Sequence, residues 1–133
     1  MNAEARLTQL RLSFSPDPLL LGVVRDAAQI AARQATFSEA DAFNLGHSVE
    51  QACRLVLEQQ QGSGVEADIH LQLCVFPDRI EARLEDVNLE ALPMSSPDFS
   101  LMARGVDRLL QEKTTPPRGQ LTMVKYRRSV RGG

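Results

Sequence analysis

Apolar residues recur along this chain with two different periods, and the points where the period changes divide it into elements. Leu10, Leu12 and Phe14 alternate with Gln9, Arg11 and Ser13, the two-residue repeat of a strand with one buried face. Asp17 before Pro18 has the form of a helix N-cap with proline at the first helical position. Leu20, Val23, Val24, Ala27, Ile30 and Ala31 follow at helical spacing, which predicts a helix to about Ala35. Ser38-Glu39-Ala40-Asp41 opens a second helix, with its acids suited to the positive end of the helix dipole. Leu45, Val49, Ala52, Cys53 and Val56 form its core stripe, and Gly62-Ser63-Gly64 stops it.

Period two returns at Ile69, Leu71, Leu73 and Val75, and again at Ile80, Ala82 and Leu84. Phe76-Pro77-Asp78-Arg79 between them carries turn chemistry. The pair reads as an antiparallel hairpin with one face on helices and the other, bearing His70, Gln72, Cys74, Glu81, Arg83 and Glu85, toward water. No period holds from Asp86 to Ser96. Ser96-Pro97-Asp98 then repeats the cap-plus-proline device ahead of Phe99, Met102, Ala103, Val106, Leu109 and Leu110, predicting a third helix over that span. Thr114 to Gly119 breaks the chain before a last strand at about Leu121 to Tyr126. The order is βααββαβ. Such elements are best satisfied by an α/β (α+β) two-layer sandwich, a mostly antiparallel mixed sheet covered on one face by three helices.

With 133 residues and 43% hydrophobic content the chain supports one domain and one core, residues 1–133 together. A formal charge of −2 gives no global attraction to nucleic acid or to an acidic membrane. Lys125, Arg127, Arg128 and Arg131 crowd the C-terminus, where 127–133 reads as a solvated, flexible tail. No apolar run is long enough to span a membrane, and the N-terminal residues lack the layout of a secretory signal, so a cytoplasmic protein is expected. Cys53 and Cys74 have no CxxC spacing and no histidine cluster near them. They read as small core residues, and no metal site is expected.

The chemistry-bearing stretch is Phe43 to Arg54 on the second helix. Glu50 and Arg54 share one flank there with Phe43, His47 and Leu57, beside the core stripe. A glutamate four residues before an arginine is also an ordinary surface pair, contributing about 0.2–0.5 kcal/mol.

The chain from about Leu10 to Tyr126 nevertheless resembles the anti-sigma-factor serine kinase branch of the histidine-kinase-type (GHKL, Bergerat-fold) ATPases. The resemblance rests on the first strand, the Asp17-Pro18-Leu19-Leu20 helix entry, Phe37-Ser38-Glu39, Val49-Glu50-Gln51-Ala52 and Met102-Ala103-Arg104. It implies that Glu50 stands where the family has a general base. Arg54 stands where an asparagine helps hold Mg²⁺, and Asp86 where an aspartate accepts a hydrogen bond from the adenine amino group. Asn88 and Glu90 stand where the family has glycines.

The departures are severe. An arginine at about 4 Å from a dication is repelled by about 4 kcal/mol per unit-charge pair at an effective dielectric of about 20. Metal-dependent phosphoryl transfer needs that cation. A phosphate cradle needs small residues at a helix N-terminus, and Pro97 and Phe99 stand there.

The reading is therefore a regulatory protein-binding domain related to anti-sigma kinases. Glu50 is a vestigial general base, and Arg54, Asp86 and Asn88 are remnants of cofactor binding, with ATP binding lost or much weakened and no cofactor expected. Its partners by that resemblance would be a sigma factor or an anti-sigma antagonist, with a homodimer expected as well. The alternative is an active ATP- and Mg-dependent protein serine kinase in which Arg54 contacts phosphate directly. The same element order also suits an unrelated two-layer α/β domain.

Overall fold

The structure is a computed structural model that describes residues 8–64, 66–93 and 95–128. In chain order the elements are β1 (Thr8–Phe14), α1 (Leu21–Gln34), α2 (Glu39–Ser63), β2 (Ile69–Val75), β3 (Arg79–Asn88), α3 (Pro97–Arg104), β4 (Arg108–Thr115) and β5 (Arg118–Tyr126). All three predicted caps form. Asp17 accepts from the Leu19 amide in a 3-10 turn leading into α1, Ser38 from the Asp41 amide, and Ser96 from the Phe99 amide. Gly64, at φ 73°, closes α2 in the left-handed conformation that glycine adopts without a steric penalty.

The strands form one sheet in the order β1-β2-β3-β5-β4, and every pairing is antiparallel. The two-layer α+β sandwich expected from the pattern is present. Its core joins Leu45, Val49 and Cys53 of α2 and Met102 of α3 to Leu71, Leu73, Ile80, Leu84, Leu121 and Met123 of the sheet. The helices pack closely because small residues sit at their crossings. A Cβ at Gly46 would lie 2.9 Å from the Arg25 carbonyl of α1, and one at Gly105 would lie 2.9 Å from the Asn44 carbonyl and collide with Ser48.

Three details differ from the pattern. The sheet has a fifth strand, and it is antiparallel throughout rather than mixed. The extra strand is β4, from residues read as the end of the third helix. That helix stops at Arg104 because Gly105 caps it, and the Asp107 amide bonds to the Val124 carbonyl, turning the chain onto the edge of β5. Leu109 and Leu110 fit both periods, and pairing with β5 decides between them. The break at Pro116-Pro117 is the turn of the β4–β5 hairpin, so β5 begins at Arg118.

The hairpin's outer face is not a water-facing surface. Gln72, Cys74 and Glu81 are all buried on it, as is Thr122 of the neighbouring β5, while His70 is exposed. Glu81 holds it together by accepting from Arg79 Nε and Arg83 Nη2, both at 2.7 Å, while the Arg79 guanidinium lies 4.0 Å from the centre of the Phe76 ring.

The basic C-terminal residues are likewise engaged. Lys125 is buried, with Asp41 at 3.5 Å and Asp107 at 3.9 Å. Arg127 donates to the Ala35 and Pro77 carbonyls and to Thr36 Oγ1, and it stacks over Phe37. Arg128 pairs with Asp107 and Asp41. Residues 127 and 128, read as the start of a solvated tail, are thus docked; Arg131 and the rest of that stretch lie outside the described residues.

Candidate functional site

The structure separates the four candidate residues into two places along α2. Glu50 sits near its middle with a side chain only 12% exposed, and two arginines hold it. Arg54 Nη2 donates to Oε2 at 3.2 Å from one turn further along α2. Arg25 Nη1 reaches Oε1 at 3.5 Å from α1. Arg25 also bonds Asp26 Oδ1 at 3.1 Å, and Asp26 first, then Glu50, raises its pKa. Below this pair lies Cys53, whose thiol burial pushes up to about 12, with the Glu50 charge adding to the shift.

Of the flank residues expected beside Glu50, Phe43 and His47 are exposed and stacked on each other, with ring centres 5.9 Å apart. Leu57 belongs to the core instead. The α2 stripe leaves the Glu50 position facing the α1 groove, where the close crossing at Gly46 brings Arg25 within reach.

Asp86 and Asn88 lie at the other end, where β3 leaves the sheet. A bulge between Leu84 and Val87 places Asp86 at φ 54°, a left-handed conformation that aspartate tolerates better than most residues. Arg118 of β5 clamps it, Nε donating to Asp86 Oδ1 and Nη2 to the Asp86 carbonyl, each at 2.6 Å. The Asn88 carbonyl accepts from Gln59 Nε2 at 3.0 Å, and Asn88 Oδ1 is buried without a donor among the described residues. These groups, with Gln60 and Ser63, line a cavity of about 360 Å³. Glu50 and Arg54 do not line it. Nine helical steps, about 13.5 Å along the axis, separate Glu50 from Gln59.

The segment that the resemblance would make a lid is pinned rather than loose where it is described. Leu89 and Leu92 are buried, and the Leu89 amide bonds the Pro117 carbonyl at 3.0 Å. At the start of α3, Pro97 offers no N–H, the Phe99 amide is taken by Ser96, and the Phe99 ring is in the core. Among the described residues no group of His, Cys, Asp or Glu is arranged to hold a metal ion, and no helix is long and apolar enough to cross a membrane.

Sequence reasoning missed Arg25 and Arg118. Arg118 lay in a stretch read as a chain break; recognising Thr115-Pro116-Pro117-Arg118 as a hairpin turn would have placed it at the start of β5, while its position opposite Asn88 comes from the pairing of β5 with β3. Arg25 carried no local signal, since only the packing of α1 on α2 brings it to Glu50. Comparison with protein-family models gives no match for this chain, and comparison with curated proteins gives none either.

Proposed function

We propose that this chain is a regulatory protein-binding domain, similar in plan to an anti-sigma factor kinase, whose nucleotide site is closed by its own arginines. The observation that carries the reading is that both carboxylates the resemblance would assign to nucleotide chemistry are occupied by arginines of the same chain. Glu50 is held by Arg25 and Arg54, and Asp86 by Arg118. Both Glu50 oxygens already accept from guanidinium groups, and Arg54 repels a metal ion at the position where one would be needed. The filled start of α3 supports the same conclusion, since an anion finds no free first-turn amide at Phe99.

Protein binding draws support from the helical layer. Leu19 ahead of α1, Val23 and Ile30 on α1 and Phe43 on α2 are large apolar side chains left exposed, a surface better suited to a protein partner than to water. By the resemblance the partner is a sigma factor or an anti-sigma antagonist in the cytoplasm.

Thermal unfolding with and without millimolar Mg-ATP or ADP tests the reading. No change in Tm is expected, since a ligand that does not bind the folded state cannot stabilise it. A rise in Tm that disappears in Asp86→Asn would overturn the proposal and favour a kinase with altered boxes. The cavity beside Asp86 and Asn88 is the place such a nucleotide would enter.

A further inference from the structure

The free edge of the sheet at β4 has a chemistry of its own, independent of the nucleotide question. β4 is the last strand in the order, with β5 on one side. Of its residues Arg108 to Thr115 only Leu109 is even half-buried. An edge strand of this kind presents a row of backbone donors and acceptors to any strand that can pair with it.

The side chains along this edge limit which strand that can be. Arg108, Leu110 and Glu112 lie opposite Val124, Thr122 and Gln120 of β5. They therefore share the sheet face away from the helices, because the intervening β5 residues Leu121 and Met123 are in the core. Leu110 is 39% exposed at the centre of the row. Neither Arg108 nor Glu112 has an ion-pair partner among the described residues.

We infer that β4 pairs antiparallel with β4 of a second copy of this chain, about a two-fold axis at Leu110, joining the two sheets edge to edge. In that register Leu110 meets Leu110, and Arg108 of each copy meets Glu112 of the other, so one apolar contact is flanked by two opposite-charge pairs. Backbone hydrogen bonds between the edges supply the attraction, and the charges select the register. A slip of one residue would pair Leu110 with Gln111 and Arg108 with Lys113, residues of opposite sheet faces, which antiparallel pairing about a two-fold axis does not allow. Centring the axis on Gln111 leaves Arg108 opposite Thr114 and Glu112 opposite Leu110. The arrangement about Leu110 alone among these matches both charges.

The reciprocity of the two charge pairs provides the test. Sedimentation velocity on the full chain over a concentration series is expected to show a reversible dimer. Arg108→Glu sets glutamate against glutamate, and Glu112→Arg sets arginine against arginine. Each variant is expected to weaken self-association by about tenfold or more while its circular dichroism stays unchanged. Mixing the two variants is expected to restore association as a heterodimer. One copy then carries glutamate at both positions and the other arginine at both, so each facing pair is again opposite in charge. The double variant R108E/E112R is likewise expected to dimerise as the parent does. A wild-type chain that stays monomeric throughout, a dimer indifferent to both single variants, or a mixture that stays monomeric would overturn the inference.

Discussion

The two faces of the sheet are held by different forces. On the helix face, Leu71, Leu84, Leu121 and Met123 meet Leu45, Val49 and Met102 with almost no exposed surface, and the attraction is burial of apolar area. On the other face a buried but less completely covered centre contains Glu81, Gln72, Thr122 and Cys74. There the cohesion comes from a carboxylate shared by two arginines, one of them stacked on Phe76. A central strand position loses water whether or not a helix covers it, because long side chains from neighbouring strands lie over it. The consequence is a polar network that must be fully paired, since a charge left alone under that cover would be costly.

The largest effect expected from breaking this comparison is on the helix face. Leu45 is fully buried, so Leu45→Ala is expected to destabilise by about 3 kcal/mol, with a Tm lower by about 10 °C in calorimetry. On the other face Glu81→Gln leaves Arg79 and Arg83 without their shared anion. Its expected cost at neutral pH is about 2 kcal/mol, short of the roughly 3–5 kcal/mol of a fully enclosed pair because the arginine side chains remain 16% and 24% exposed. The two substitutions also separate by pH. Burial by itself would raise the Glu81 pKa, but hydrogen bonds from Arg79 and Arg83 outweigh it and hold the carboxyl below its usual range. A carboxyl depressed in the folded state stabilises fully above its unfolded value, about 4.3, and that contribution is lost as pH falls through the folded value. Urea melts are therefore expected to show the gap between wild type and Glu81→Gln closing in acid below about pH 4, with no such closure attributable to Leu45.

The helix face was legible in the sequence, and the other face was not. Period two in Ile69 to Val75 and period 3.6 from Leu45 to Val56 state which atoms are apolar and on which side, and the caps at Asp17, Ser38 and Ser96 state where the helices start. Those signals are local. The burial of Glu81 depends on how densely Arg79, Arg83 and Phe76 lie over the central strands, which alternation does not encode. The residues after Gly105 failed for a related reason, since Val106, Leu109 and Leu110 satisfy helical spacing, and only the vacant edge of β5 draws them into a strand. The candidate site was half legible. Glu50 with Arg54 followed from i,i+4 spacing, and Asp86 with Asn88 from position at a strand end, but Arg25 reaches Glu50 only through helix packing and Arg118 reaches Asp86 only through the pairing of β5 with β3.

The smallest expected effect comes from repeating the arginine–carboxylate chemistry at the exposed rim. Arg118 and Asp86 form a shorter contact than either arginine makes with Glu81, yet their side chains are 44% and 67% exposed. Water screens that pair, and an exposed pair of good geometry contributes about 0.2–1 kcal/mol. Arg118→Ala is accordingly expected to cost about 0.5 kcal/mol in urea melts, a quarter of the loss at Glu81, and a double-mutant cycle with Asp86→Ala should return a coupling of that size. The comparison is sharp because bond length favours the rim and burial favours the centre, so the ranking of the two losses tells which property governs. A loss at Arg118 equal to that at Glu81 would mean that its bond to the Asp86 carbonyl braces the left-handed bulge. The β3 end would then depend on Arg118 as the open face depends on Glu81.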